Sequence, residues 1–329
     1  MDGMLSLSSQ QPDLMTLSPD PQMAAILARI AAAPALDYKV MPIREARQMF
    51  EAASLPWCEG APAMDTRLVT IPLSGRTLRA RLYLPQPAPL QEVTLFVHGG
   101  GWTFGSIDTH DGTMRRLAVA LGSPVFGIDY RLAPEHPFPA PLDDVLAAVE
   151  FVEHGGLGGP LAADRIAIAG DSAGANLALA ALIARRDSKA ASLAAGALFY
   201  GCYAPDFSTA SHAAYGGGEY LLSSANMRWY WDNFLGKLPD NTTSLAAPLR
   251  ADLAHLPPLY LSAAGFDPLR DDTVQLAQCL ADVGTKFRFD HVPNVVHGCL
   301  RMARELDASQ RMIEAAGAFL ADAQREAKG

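Results

Sequence analysis

Gly170-Asp171-Ser172-Ala173-Gly174 places a serine between two glycines, each two positions away. The short apolar run Ile166 to Ala169 precedes it, and Ala175 to Arg186 follows with mostly strong helix formers. That second run is apolar on nearly every face, as a buried helix is, and Arg185 and Arg186 suit its C-terminus. A serine on so tight a strand-to-helix turn is held in a strained backbone conformation, and the glycines leave room for it. Such a serine is a candidate nucleophile for an acyl carbon. The plainer alternative is a turn serine that caps the helix.

A serine hydroxyl attacks poorly near neutral pH. It needs a base within hydrogen-bond reach, and the base needs an orienting carboxylate. On a strand–turn–helix scaffold these follow in the order Ser, Asp or Glu, His. After the apolar run Pro258–Ala263 comes Ala264-Gly265-Phe266-Asp267-Pro268, and after Lys286–Val292 comes Pro293-Asn294-Val295-Val296-His297-Gly298. Asp271 and Asp272 compete with Asp267, but they open a helix, where carboxylates stabilise the N-terminal dipole. Asp267 precedes Pro268 and is therefore biased towards extended geometry. His98 comes too early in the order. His110, His136, His154, His212, His255 and His291 sit where no catalytic explanation is needed, which leaves His297 as the base.

Acyl transfer also builds negative charge on the former carbonyl oxygen, and rigid N–H donors must be aimed there. The apolar run Val93–Val97 leads into His98-Gly99-Gly100-Gly101-Trp102. Three glycines let backbone approach a ligand closely. The alternatives are a flexible loop or a phosphate-binding turn; the latter lacks a following lysine and a G-x-G-x-x-G spacing. The candidate oxyanion donors are the N–H groups of Gly100, Gly101 and Ala173.

These pieces need a frame. Pro21 to Ala33 and Arg44 to Ala53 read as helices, and residues 1 to about 20 as a mobile start. Arg67–Leu73 and the alternating Thr77–Leu84 suggest an antiparallel hairpin, with Leu78, Ala80, Leu82 and Leu84 facing one way and Arg79, Arg81 and Tyr83 the other. Val93–Val97, Pro124–Ile128, Ile166–Ala169, Ala195–Tyr200 and Pro258–Ala263 read as buried parallel strands, with a last strand around Phe287 to His291. Helices are expected over Leu142–Val152, Thr273–Leu280 and Gln310–Ala321. Alternating strands and helices imply an α/β fold with a mostly parallel sheet, helices on both faces, and functional loops at the strands' carboxyl ends. The segment from Tyr203 to Gly236 breaks this rhythm with Met227, Trp229, Tyr230, Trp231 and Phe234. It reads as a helical lid, or else as a helix packed on the sheet with its aromatics in the core.

The 329 residues carry a net charge of −9, with 26 basic against 35 acidic side chains. That balance argues against nucleic acid and against anionic membrane surfaces as partners. Cys58, Cys202, Cys279 and Cys299 are scattered without a C-x-x-C, as in a reducing, cytoplasmic protein without a disulfide framework or a cysteine metal site.

The motifs together resemble the hormone-sensitive-lipase-like (family IV) esterases of the α/β-hydrolases. The match rests on His98-Gly99-Gly100-Gly101-Trp102, the run Asp129 to Ala140, Gly170-Asp171-Ser172-Ala173-Gly174, Leu256-Pro257-Pro258 with Asp267-Pro268-Leu269-Arg270-Asp271, and His297-Gly298. The resemblance implies a triad of Ser172, Asp267 and His297, oxyanion donors at Gly100, Gly101 and Ala173, and no cofactor or metal. It makes the Tyr130-to-Glu135 segment structural. It also implies cap helices in 1–55, a catalytic α/β-hydrolase domain in 56–202 and 241–329, and a cap insertion in 203–240. Where the family usually has an aromatic residue after the His-Gly pair, this chain has Cys299. Trp102, Phe104, Tyr203 and residues between Tyr215 and Trp231 are the expected pocket walls.

The expected function is a serine carboxylesterase acting on small-molecule esters with short- to medium-chain acyl or aryl groups. The alternatives are another acyl bond (amide, lactone or carbonate) or a non-catalytic receptor on the same fold. The sequence leaves the oligomeric state open. The resemblance implies a homodimer through the sheet edge as one option, for which the amphipathic strand near Phe287 could serve.

Overall fold

The computed structural model describes residues 18–34, 36–86, 91–159, 162–237 and 243–326. The stretch 1–17 and the insertion's residues 238–240, on which expectations fell above, lie outside the described residues. Eight strands form one sheet: β1 (Asp65–Leu73), β2 (Arg76–Leu84), β3 (Val93–Val97), β4 (Val125–Ile128), β5 (Ile166–Asp171), β6 (Gly196–Phe199), β7 (Leu259–Phe266) and β8 (Phe287–Val296). Their spatial order is β1-β2-β4-β3-β5-β6-β7-β8. The hairpin β1–β2 is antiparallel and joins β4 antiparallel, while β4 through β8 run parallel.

The continuous apolar runs are the strands buried on both faces. Every residue of β3, β4, β5, β6 and β7 is buried. Helices α4 (Ala140–Glu153), α5 (Ala173–Asp187) and α8 (Arg270–Asp282) build one core around Val149, Leu177, Leu182 and Leu276. Helices α1 (Pro21–Ala31), α3 (Asp111–Leu121) and α9 (Asp307–Glu326) build the other around Met23, Met114, Leu117 and Ile313. The expectation that α5 is apolar all round holds, because α5 is covered on nearly every side.

The α3 helix was not expected. Its Met114, Leu117, Ala118 and Leu121 carry the spacing of one helical face, and all four are buried. It explains a second departure: Tyr83, placed with the exposed arginines of β2, is fully buried. Its hydroxyl reaches Asp111 at 3.1 Å, at the start of α3.

The aromatic insertion forms α6 (Ala210–Tyr215) and α7 (Ser224–Leu235). Both readings of α7 describe part of it. Met227, Trp231 and Phe234, at i, i+4 and i+7, turn into the main core, while Trp229 and Tyr230 face Phe104. Helix α2 (Ile43–Ser54) is tied down from below. Arg47 donates to both carboxylate oxygens of Glu135, at 2.8 and 2.6 Å, and to the carbonyls of Thr103 and Ala133. Arg131 in turn binds the fully buried Asp144 of α4. Both charged residues of this segment therefore hold elements together. Helix α1 lies elsewhere, with Arg29 paired to Glu305 and the Asp20 amide on the Asn294 carbonyl beyond β8's middle.

Candidate active site

Strand register brings the chemical residues together. Phe266 of β7 pairs with Val296 of β8, so the next residues of the two strands, Asp267 and His297, emerge side by side. A register shift between Ala264 and Phe266, of the bulge kind, precedes the exit. Likewise Val97 of β3 pairs with Gly170 of β5, which sets His98 next to Asp171.

At these ends His297 Nδ1 lies 2.7 Å from Asp267 Oδ2, and His297 Nε2 lies 2.9 Å from Ser172 Oγ. A carboxylate only accepts, so the proton between Asp267 and His297 sits on Nδ1. That leaves Nε2 as the acceptor for the Ser172 hydroxyl. The other Asp267 oxygen accepts the Leu269 amide at 2.8 Å, which fixes the carboxylate plane. Asp267 is fully buried, while Ser172 is 8% exposed and the His297 side chain 11%, so the acid is sealed and the other two members meet the cavity.

Ser172 has φ 54° and ψ −119°, outside the regions that L-residues ordinarily occupy. Its amide bonds the Phe199 carbonyl, and its hydroxyl makes no capping bond to α5. The capping alternative therefore does not describe it. The turn also needs a glycine at 174: a Cβ there would meet the Val97 carbonyl oxygen at 2.0 Å.

The glycine loop lines the same cavity as the serine. Gly100 and Gly101 have φ of 122° and 60°, and their N–H groups bond no backbone acceptor among the described residues. Ala173, the first residue of α5, adds an amide that has no partner within the helix. The loop is held from behind. Asp171 Oδ1 accepts the Gly99 amide at 2.8 Å and faces His110 Nε2 at 3.3 Å. Burial opposes the charge on Asp171, but His110, Arg301 and the Gly99 amide hold its carboxyl below the usual carboxylate range. His98 is pushed down to about 3, first by burial and then by His110, so its ring is neutral as it stacks on Tyr130.

A cavity of about 110 Å³ opens at the serine. Its floor is Gly100, Gly101, Asp171, Ser172, His297 and Gly298, with His110 behind. Its roof is Phe50 from α2, Leu222, Met227 and Tyr230 from the insertion, and Arg301 from the turn after the histidine. The Tyr230 ring lies against Gly101 so closely that a Cβ there would sit 2.4 Å from it.

Comparison with known proteins places this arrangement. Residues 94–301 match a family model described as α/β-hydrolase fold. The chain is 37% identical over 257 residues to esterase LipI of Mycobacterium tuberculosis, covering 74% of this chain and 78% of that protein. It also superposes on the Pyrobaculum calidifontis esterase with TM-score 0.85 at 32% identity, covering 92% of this chain and 98% of that one. EstE1, a thermostable carboxylesterase from a metagenomic library, gives TM-score 0.83 at 35% identity, over 88% of this chain and 99% of that one. The chain belongs to the α/β-hydrolase family. Within it, the chain falls among the hormone-sensitive-lipase-like carboxylesterases.

In this hydrolase the expected walls need correction. Trp102, Phe104, Tyr203 and Trp231 are almost fully buried, and neither they nor Tyr215 line the cavity. Trp102 stacks on Phe234 with ring centroids 4.1 Å apart, and Phe104 stacks on Phe50 at 5.1 Å. They form a layer behind the wall, because the largest apolar rings gain most by complete burial. Tyr215 packs on Phe266 and Tyr220. The wall falls to Leu222, Met227 and Tyr230, inside the expected stretch between Tyr215 and Trp231, and to Phe50, which was not expected.

Other residues were missed. Tyr200 sets its ring edge-on to His297 at 4.9 Å, and its hydroxyl accepts the Leu300 amide. Its position directly after β6 was the available signal. His110 was dismissed as a loop residue, and only the fold brings it to Asp171. Asp272, read as a helix-dipole residue, accepts the amides of Tyr203 and Ala204. Cys299 is buried, with its sulfur toward Met312 rather than toward the cavity.

Proposed function

We propose that this chain is a serine carboxylesterase whose nucleophile, base and acid are Ser172, His297 and Asp267. The observation that carries the reading is the unbroken hydrogen-bond chain from Asp267 through His297 to Ser172. Ser172 Oγ attacks the ester carbonyl carbon while its proton passes to His297 Nε2. The N–H groups of Gly100, Gly101 and Ala173 receive the oxyanion. The intermediate collapses, and the alcohol leaves with the proton from His297. Water then attacks the acyl-serine by the same route and releases the acid. Asp267 keeps the imidazole in the working tautomer and balances its transient charge.

A cavity of about 110 Å³ supports short acyl groups; it equals roughly four water molecules' share of liquid volume. In this reading α2 and the α6–α7 insertion cap the site, and the sheet carries the chemistry. None of the helices among the described residues is long and apolar enough to cross a membrane. All four cysteines are free thiols, which supports a reducing, cytoplasmic setting. The outermost position of β8 supports pairing of two copies along that edge.

The test is turnover of p-nitrophenyl butyrate with mass spectrometry of organophosphate-treated protein. The wild type gains one adduct at Ser172, and Ser172→Ala loses both adduct and turnover. Turnover that survives in Ser172→Ala would sink the assignment.

A further inference from the structure

The cavity roof is apolar except for one cation. Arg301 stands on the single turn Cys299–Met302, four residues after His297, and lines the same cavity as Ser172. Its guanidinium is held in place from one side only. One nitrogen donates to Ser54 Oγ at 2.8 Å, and the group's central carbon lies 5.3 Å from the centre of the Phe50 ring. Ser54 is itself buried and tied to the Phe50 carbonyl, so the anchor is firm.

No carboxylate lies within salt-bridge reach of Arg301 among the described residues. This contrasts with Arg304, three residues on, which pairs with Glu59, and with Arg47 across the roof, which grips Glu135. The other charge lining the cavity is Asp171, which feels Arg301 through space without a salt bridge to it. Its Oδ1 is turned away, toward the Gly99 amide and His110. A guanidinium offers five N–H donors in a planar fork that matches a carboxylate. Here a single hydrogen bond to protein engages it.

We infer that this site takes esters carrying a free carboxylate away from the scissile bond, and that Arg301 selects them by gripping that group. The inference rests on the serine-esterase reading above. The carboxylate sits either on the acyl part, as in half-esters of dicarboxylic acids, or on the alcohol part, as in esters of a carboxyphenol. In both cases the recognised chemistry is one carboxylate against one guanidinium. A charged hydrogen bond of this kind discriminates by roughly 10- to 100-fold.

The experiment compares kcat/KM for two matched pairs: monoethyl glutarate with ethyl valerate, and 4-acetoxybenzoate with 4-acetoxytoluene. Wild type, Arg301→Gln and Arg301→Lys are measured on all four. The anionic-to-neutral ratio falls roughly 10- to 100-fold in Arg301→Gln for one pair, and Arg301→Lys recovers part of it. The pair that responds shows which side of the ester Arg301 reads. Ratios that stay constant in both pairs overturn the inference and leave Arg301 as a clamp on α2. Wild-type protein alone gives a second readout. Benzoate inhibits turnover of ethyl valerate at lower concentration than benzamide; equal inhibition overturns the inference too. Failure of the wild type to hydrolyse any of the four esters would instead remove the serine-esterase reading.

Discussion

The floor and the roof of the cavity are built by different physics. The floor hangs from the ends of β3, β5, β7 and β8, whose hydrogen-bond ladders set positions residue by residue. The roof is α2, α7 and the Arg301 turn, held by ring contacts among Tyr38, Phe50, Phe104, Trp229 and Tyr230 and by the Arg47 clamp. Ladders fix geometry to a fraction of an ångström, which chemistry needs. Ring stacking is adaptable, which suits a surface that chooses substrates. Changes in the floor should therefore act on kcat, and changes in the roof on which ester is used.

The largest effect belongs to the floor's proposed base. His297→Ala should cut kcat for p-nitrophenyl butyrate by roughly 10⁴- to 10⁶-fold with little change in KM. Stopped-flow and steady-state assays check this. A loss carried mainly by KM would contradict the division between floor and roof.

The next effect is smaller because the residue acts through its neighbours. Asp171 bonds the Gly99 amide and faces His110, so in the proposed reading it acts by positioning the oxyanion loop. Asp171→Asn keeps an acceptor and loses the charge. It should lower kcat by about tenfold, below the 10²- to 10³-fold cost of deleting an oxyanion donor outright. KM should stay within a factor of about two, and Asp171→Ala should lose more. Equal losses in the two variants would show that the hydrogen bond from Gly99 carries no weight.

The same division explains what could be read from the chain alone. Each floor residue stands at the end of an apolar run of strand length, in a short motif with a known chemical order. That Ser172, Asp267, His297 and the glycines meet at one site was therefore legible before any fold was known. The roof was not. Which aromatic of α7 faces the cavity depends on the helix's rotation against the sheet, and its aromatics Trp229, Tyr230, Trp231 and Phe234 are spread over more than one face. Hydrophobicity pointed to Trp102, Phe104 and Trp231, yet the strongest apolar rings went deepest, and Tyr230 was left at the wall. Phe50 and Arg301 come from segments far apart in sequence, and no local pattern announces either. His110 was lost for the same reason.

Tyr230 offers a test of the roof by itself. Tyr230→Ala removes a ring packed against Gly101 and should enlarge the cavity. In a p-nitrophenyl ester series, preference should move by about two carbons toward longer chains, with kcat on the best ester kept within about fivefold. Loss of kcat across the whole series would mean that the ring also holds the oxyanion loop, and the roof would then share the floor's work.

The smallest effect is expected at the seam where the chain leaves the floor for the roof. There the Asp272 carboxylate, at the start of α8, accepts the amides of Tyr203 and Ala204. Burial pushes its carboxyl up to about 8 despite those two amides, with Asp267 and Asp206 adding repulsion. The folded state then holds a proton that the unfolded chain releases near its ordinary value of 3.8. Stability from this group is complete below pH ~4 and is lost as pH rises through about 8. Asp272→Asn keeps an acceptor for the Tyr203 amide and cannot ionise. Its Tm should match the wild type near pH 4 and exceed it by a few degrees near pH 8.5. Thermal scans across that range check the sign: parallel curves would mean that the seam does not titrate. A variant that is more stable at pH 8.5 but unchanged in kcat would place the seam's cost in the attachment of the roof, apart from the chemistry of the floor.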